Sequence, residues 1–347
     1  MLVALIMAGG RGTRFWPAST EEHPKQFLNL IGNRTMIQET VHRLLPLIDI
    51  NHIFICTDKK YKNICMEQLP ELPEKNIIIE PVGRNTAPCV LLSTVYIEQI
   101  FNNANIIVLP SDHQINNEKE FLSVLSDANS FVINNNEAII TIGITPNRPE
   151  TGYGYINFSN TIGIINTHEI KKVNCFVEKP NEEIAQKYID DGHYLWNAGM
   201  FMFNAKFMKT QYKKHAKDLN NIIDNLPSIN NSNYIKALES EYPKCESISI
   251  DFAIMEKTDK LCVIPADFGW DDIGGWKALN RYIKEDSNQN IIKGNAIMEN
   301  SNNNIIYSTN KDIILLDAED LFVIETEEKI IVGKKESLVK VHELRNK

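Results

Sequence analysis

Five short apolar runs, spaced by helical patterns, constrain this 347-residue chain more than any other feature. Residues 2–7, 53–57, 77–79, 106–109 and 138–144 are continuously apolar rather than alternating. A strand is apolar at every position when both of its faces are covered, as in a parallel sheet between helices. Segments 36–48, 87–101 and 119–134 lie between these runs and carry helical periodicity. The βαβα order predicts an open, doubly wound α/β sheet with helices on both faces. Ligands of such sheets sit beyond the carboxyl ends of the strands.

Beyond residue 150 the pattern changes. Strands are expected at 175–177, 200–203 and 261–264, with amphipathic helices at 182–191, 206–215 and 232–241, as a half that continues the same sheet. After residue 284 come short apolar runs at 305–307, 313–316, 321–324 and 330–332, with Asn, Asp and Glu between them. Regular short strands without helices predict a small all-β segment. The asparagine-rich stretch 287–304 reads as a linker or loop. The expected division is a catalytic domain at 1–283 and a β-rich C-terminal domain at 284–347.

The first strand empties into Gly9-Gly10-Arg11-Gly12-Thr13-Arg14, followed by Trp16-Pro17 and Pro24-Lys25-Gln26. Glycines after a buried strand let backbone N–H groups approach an anion closely. Arg14 and Lys25 add positive charge, so polyphosphate is the natural guest. A P-loop is excluded, because no Lys-Ser or Lys-Thr pair follows the last glycine. A dinucleotide fingerprint is excluded too, since Phe15 stands where a third small residue is required. An ordinary glycine turn is the bland alternative, but it leaves the two cations unexplained.

Net charge is −9 with no long basic run, which argues against nucleic acid as a partner. No stretch approaches the roughly 18 apolar residues of a membrane span. The short N-terminal apolar run has no basic region ahead of it, so a cytoplasmic protein is expected. Six scattered cysteines form no C-x-x-C pair; Cys56, Cys89, Cys175 and Cys262 read as small core residues.

Four carboxylates stand out. Asp112 follows a strongly apolar strand, where it suits Mg²⁺ on a bound triphosphate. Asp271-Asp272 lie among glycines and tryptophans in GWDDIGGW. For Asp112 and Asp272 the bland alternative is a helix cap. Glu80 ends the third strand and can accept from N1–H and the N2 amine of guanine, a donor pair that adenine lacks. Its bland alternative is a solvated strand end. The helix that starts near Ala87 would aim its positive end at the same place. The segments TGYGY (151–155), VEKP (177–180) and WNAGM (196–200) combine glycines, polar groups and aromatics suited to a sugar, and Lys179 suits a sugar phosphate. Trp196 alone reads more simply as core.

These motifs resemble, in order, those of the bacterial mannose-1-phosphate guanylyltransferases within the sugar nucleotidyltransferases. The matching segments are AGGRGTRFWP (8–17), PKQF (24–27), EPVGRNTAP (80–88), PSDH (110–113), TGYGYI (151–156), FVEKP (176–180), WNAGMF (196–201) and GWDDIGGW (269–276). The resemblance implies a Rossmann-like mixed sheet flanked by helices, then a left-handed β-helix-like segment that helps form a homodimer. It implies that Gly9, Gly10, Gly12, Thr13, Arg14 and Lys25 bind the GTP phosphates. Glu80, Gly83 and Asn85 would lie at the base and ribose. Asp112 and Asp272 would hold Mg²⁺, and Gly152, Glu178, Lys179 and Asn197 the mannose 1-phosphate. Long relatives add a cupin-type isomerase domain, which this chain is expected to lack, and the tail shows no clean hexapeptide repeat. The implied reaction forms GDP-mannose and pyrophosphate. Rival readings are another sugar 1-phosphate, such as glucose or a heptose, and a non-catalytic sugar-nucleotide sensor. The sensor requires a broken site, whereas Arg14, Lys25, Asp112 and Asp272 are all present.

Overall fold

The computed structural model describes every residue except Arg11, Glu178 and Lys347. Its strands are β1 (Leu2–Met7), β2 (Ile53–Asp58), β3 (Ile77–Glu80), β4 (Asn105–Pro110), β5 (Gln114–Ile115), β6 (Ile139–Ile144), β7 (Tyr155–Ile165), β8 (His168–Val177), β9 (Tyr194–Asn204), β10 (Leu261–Ala266) and β11 (Trp270–Asp271), followed by six in the tail. The helices are α1 (Met36–Leu44), α2 (Lys62–Gln68), α3 (Thr86–Ile100), α4 (Glu118–Asn134), α5 (Glu182–Asp191), α6 (Ala205–His215), α7 (Lys217–Asp224) and α8 (Tyr234–Glu241).

Two compact units form, one from Met1–Gly9 with Thr40–Asp271, the other from Gly10–Glu39 with Asp272–Lys347. The chain passes between them at Gly9/Gly10, within α1, and at Asp271/Asp272. This grouping differs from a single boundary at 283/284. The segment that follows the first strand shares a core with the tail, in which Phe15, Leu30 and Met36 pack with Trp276, Ile305, Tyr307 and Phe322.

The first unit is built on a nine-stranded sheet of order β3-β2-β1-β4-β9-β6-β10-β8-β7. β3, β2, β1 and β4 run parallel. β9 is antiparallel to both β4 and β6, so the sheet is mixed. The fully apolar runs are buried for the reason expected: helix α3, buried from Ala87 to Thr94, packs in one core with Val3, Leu5, Phe54 and Val108. Of the β7–β8 hairpin only the end of β8, at 175–177, was expected, and helices α2 and α7 were not anticipated. Helices α2 and α7 are only seven and eight residues long, about two turns each, too short for a period to stand out.

Cys175 corrects an expectation. It is exposed, whereas Cys56, Cys89 and Cys262 are buried as read. It lies on β8, where buried and exposed positions interleave along a half-covered strand.

In the second unit, β12 (Ile291–Lys293), β14 (Ile305–Ser308), β16 (Leu321–Glu325) and β17 (Ile330–Lys334) form one sheet, and β13 (Ala296–Glu299) pairs with β15 (Ile313–Leu316). Ile305 pairs with Phe322, and Ala296 with Ile313, in parallel register. Successive coils therefore repeat at about seventeen residues, which explains why a search for hexapeptides finds no clean pattern. The stretch 287–304 is not a linker, since it holds β12 and β13. Its asparagines are structural. Asn290 and Asn304 are buried, and the Asn304 amide donates to the carbonyl of Ala318 at 3.0 Å. An asparagine both donates and accepts, so it can bridge the backbones of stacked coils.

Candidate active site

The glycine loop after β1 is locked by contacts within the second unit. Gly12 has φ +50°, and a Cβ there would lie 2.5 Å from the Lys25 backbone nitrogen, so only glycine fits. The Gln26 amide donates to the carbonyl of Gly10 at 3.0 Å. Phe15 is buried edge-on against Trp276, with ring centroids 5.2 Å apart. The Trp276 indole N–H reaches the carbonyl of Trp16 at 3.0 Å. These anchors hold Thr13 and Arg14 on the outside of a single turn.

Arg14, Lys25 and Asp272 come together here. Lys25 is 5% exposed, and its ammonium donates to the backbone carbonyl of Asp272 at 2.5 Å. Arg14 Nη1 lies 3.7 Å from Asp272 Oδ2. Arg14 is largely exposed, so this ion pair adds little stability. Asp272 is not a helix cap. The turn Trp276–Arg281 is preceded by Gly275 and has no side-chain cap. The Asp271-Asp272 pair is split between the two units. Asp271 is buried in the first unit and accepts from the Tyr153 hydroxyl at 3.2 Å.

The remaining described candidates lie in the first unit. Asp112 follows β4 and is half-buried. It is not a cap either, because Asn117 caps α4. Two residues on, β5 pairs with β11, with Gln114 opposite Asp271. His113 accepts at Nδ1 from the Trp270 indole N–H at 3.0 Å. An indole only donates, so that nitrogen carries no proton and the imidazole is neutral in this arrangement.

Glu80 is buried at the carboxyl end of β3, not solvated. One oxygen accepts from the Tyr242 hydroxyl at 2.5 Å. The other faces Gly9, where a Cβ would approach to 3.1 Å. Cys56 and Cys89 complete a buried cluster with it. Burial pushes the Glu80 carboxyl up to about 7, and Asp58 adds to the rise against hydrogen bonds from Tyr242 and Cys89. Asn85, five residues on, has φ 66° and ψ −171°, a conformation nearly reserved for glycine, and its side chain caps α3 by accepting from Thr86 N–H at 2.8 Å. Strain of this kind collects at ligand sites. Gly83 is exposed with open space around it.

On the sugar side, Gly152 is exposed and its N–H donates to Glu150 Oε1 at 3.1 Å. Lys179 is exposed with φ +40°, again unusual for a residue with a side chain. Glu178 lies outside the described residues. Asn197 sits on a bulge of β9. Opposite it, β6 advances from Thr141 to Gly143 while β9 goes from Phe201 to Asn197. Such a bulge re-aims a side chain. Trp196 is buried, packed edge-on to Tyr153 at 5.3 Å, so it is core as the simpler reading had it.

Sequence reasoning missed Arg148, Glu150, Tyr242 and Asp251. The Arg148 guanidinium lies 4.9 Å from the Trp196 ring centroid and pairs with Glu150 at 3.1 Å. Both precede the TGYGY segment directly, which was the available signal. Tyr242 gave none.

A glycine-rich anion loop with two cations, carboxylates after strand ends and a buried strand-end glutamate are the parts of a nucleotidyl-transfer enzyme. The chain belongs to the nucleotidyl transferase family, whose model matches residues 3–289. It is 39% identical over 313 residues to a mannose-1-phosphate guanylyltransferase of Salmonella muenchen, covering 88% of this chain and 65% of that protein. A mannose-1-phosphate guanylyltransferase of Escherichia coli is 35% identical over 315 residues, covering 88% of this chain and 67% of the relative. The chain thus spans about 65% of the length of the first of these relatives. A crystal structure from Thermus thermophilus, described as a mannose-1-phosphate geranyltransferase, superposes with a TM-score of 0.86 at 28% identity, covering 99% of this chain and 98% of that one.

Proposed function

We propose that this protein transfers GMP from GTP to α-D-mannose 1-phosphate, releasing pyrophosphate and forming GDP-mannose. The observation that carries the reading is the 39% identity to a mannose-1-phosphate guanylyltransferase over 88% of the chain. The buried strand-end Glu80 supports guanine as the base.

The nucleophile is a sugar-phosphate oxygen that is already ionised at neutral pH, so no general base is needed. It attacks the α-phosphorus in line; the bond from that phosphorus to the bridging oxygen of the β-phosphate breaks, and pyrophosphate leaves with the electron pair. The protein's part is positioning and charge neutralisation. Gly9, Gly10, Gly12 and Thr13 line the phosphates. Arg14 and Lys25 stabilise charge on the departing pyrophosphate. Gly83 and Asn85 flank Glu80 at the base and ribose. Gly152, Glu178, Lys179 and Asn197 hold the mannose phosphate, with Glu178 assigned from the resemblance alone.

Asp112 and Asp272 are the residues we assign to Mg²⁺. Both offer hard oxygen donors, the set that suits this ion, whereas the buried Cys56–Glu80–Cys89 cluster suits a softer one. When bound, Mg²⁺ neutralises charge on the reacting phosphates.

We also propose a cytoplasmic homodimer. Among the described residues no helix is long and apolar enough to cross a membrane. On the tail, Ile297 and Ile314 are register-paired and each 62% exposed, an apolar face that a second copy would cover.

A pyrophosphate-release assay tests the reaction. GTP is compared with ATP and UTP, and mannose 1-phosphate with glucose and heptose 1-phosphates. Turnover confined to GTP and mannose 1-phosphate is expected. Equal turnover with ATP or UTP refutes the guanine reading, and preference for another sugar refutes the mannose reading.

A further inference from the structure

The segment between Tyr242 and Asp251 touches both ends of the first unit's site, and nothing in its own sequence pattern announces this. At the base end, Tyr242 donates to Glu80, and Arg84 donates to the carbonyl of Pro243. The Ile250 N–H donates to the Thr86 hydroxyl at 2.8 Å, and the Ala87 N–H to the carbonyl of Ile248 at 3.1 Å. One residue later, Asp251 opens a single turn of π-helix (Asp251–Met255). Such turns are rare and collect at functional sites. There Asp251 Oδ1 accepts from the Asn197 amide nitrogen at 3.0 Å.

That bond is one of two that fix which way the Asn197 amide faces. On the other side, the Gly199 N–H donates to Asn197 Oδ1 at 3.0 Å. A backbone N–H only donates and a carboxylate only accepts, so the two partners together forbid the flipped amide. One N–H and one oxygen lone pair of Asn197 remain beyond these two bonds, a donor beside an acceptor. Adjacent sugar hydroxyls pair with such an edge. Gly199 serves the same end, since its φ of +64° lets the bulge turn its N–H back onto Asn197.

We propose that Asp251 is a positioning residue for the sugar 1-phosphate: it orients the Asn197 amide, and the 242–251 segment ties that orientation to the loop that holds the nucleotide base. This rests on the reading of Asn197 as a sugar-binding residue. Asp251 acts through Asn197, so its loss raises the sugar-phosphate KM and leaves the GTP KM in place.

Steady-state kinetics on Asp251→Asn, Asn197→Ala and the double variant test it, with thermal melting of each as a control for folding. The isosteric Asp251→Asn keeps the volume but replaces the charged acceptor with a neutral amide that can turn a donor toward Asn197, so the N–H side of Asn197 is held less firmly. Losing a hydrogen bond to a charged group supports a rise in sugar-phosphate KM of roughly tenfold to a hundredfold. The expected result is that rise in both single variants, no further rise in the double variant, an unchanged GTP KM and an unaltered melting temperature. A normal sugar KM in Asp251→Asn with a raised one in Asn197→Ala overturns the positioning role but not the sugar site. A normal sugar KM in Asn197→Ala overturns the sugar reading itself. A lower melting temperature with both KM values raised marks a structural role and also overturns the proposal.

Discussion

Glu80 should give stability and nucleotide affinity opposite pH slopes. In the folded chain its carboxyl titrates at about 7, against an ordinary 4.5, because burial penalises the charged form. Between those values the folded state holds a proton that the unfolded state has lost. The stabilisation linked to that proton is fully present below 4.5 and disappears as pH rises through 7. At about 1.4 kcal/mol per tenfold, the loss is on the order of 3 kcal/mol. Base recognition needs the opposite form, since only the carboxylate accepts from both guanine donors. With a titration near 7, about a tenth of Glu80 is ionised at pH 6 and about nine tenths at pH 8, so GTP affinity should rise roughly tenfold across that range. Urea denaturation and GTP titration are each run from about pH 5 to 8.5 on the wild type and Glu80→Gln, a window that brackets the folded-state titration. The glutamine variant subtracts the titration of the GTP phosphates and of all other groups. Its stability relative to wild type should improve with rising pH by the amount above, while the wild-type gain in GTP affinity vanishes. A pH-independent stability difference refutes the burial argument. A tenfold affinity gain that survives in the variant refutes the guanine role and leaves the burial argument standing.

Three further outcomes follow from the same contacts. Lys25→Ala should cut turnover by about 100- to 1000-fold, the usual loss for one preorganised charge contact, with circular dichroism unchanged; near-normal turnover removes its phosphate role. Gly12→Ala forces a Cβ to 2.5 Å from the Lys25 nitrogen at a positive φ, so it should cost about 1–3 kcal/mol in denaturant melts and lower turnover as well. His168, held between Asp127 at 2.7 Å and Glu120 at 3.0 Å, titrates above its ordinary value: burial opposes its charge, but the two carboxylates prevail. Its stabilisation is present below about pH 6.5 and is lost as pH rises through the raised value, so the melting deficit of His168→Ala should shrink at alkaline pH; a deficit that is constant with pH contradicts this.

Much of the candidate site was legible because its parts are local. The glycine loop, PSDH and EPVGRN each sit where a strand ends, and strand ends follow from runs of apolar residues. The cap alternatives for Asp112 and Asp272 were also reasonable locally. They fall only because Asn117 and Gly275 occupy those positions. Burial of Glu80 was not legible, since its cover comes from Tyr242, 162 residues away. The same holds for Asp251, which reaches Asn197 across 54 residues. The asparagines of the tail misled for a related reason. Seen one at a time they read as loop residues, and only the stacking of coils gives Asn290 and Asn304 their partners.

By itself, the sequence determined the parallel strands, the glycine-rich turn after the first of them and the types of residue that gather at the strand ends. Those depend on periodicity and backbone freedom over a few neighbouring positions. Tertiary structure alone decided that residues 10–39 share a core with the tail, that Asp271 and Asp272 part into different units, and that Asp251 accepts a hydrogen bond from Asn197. Each of these depends on which distant surfaces exclude water together and which buried polar groups then find partners. No local pattern encodes that choice.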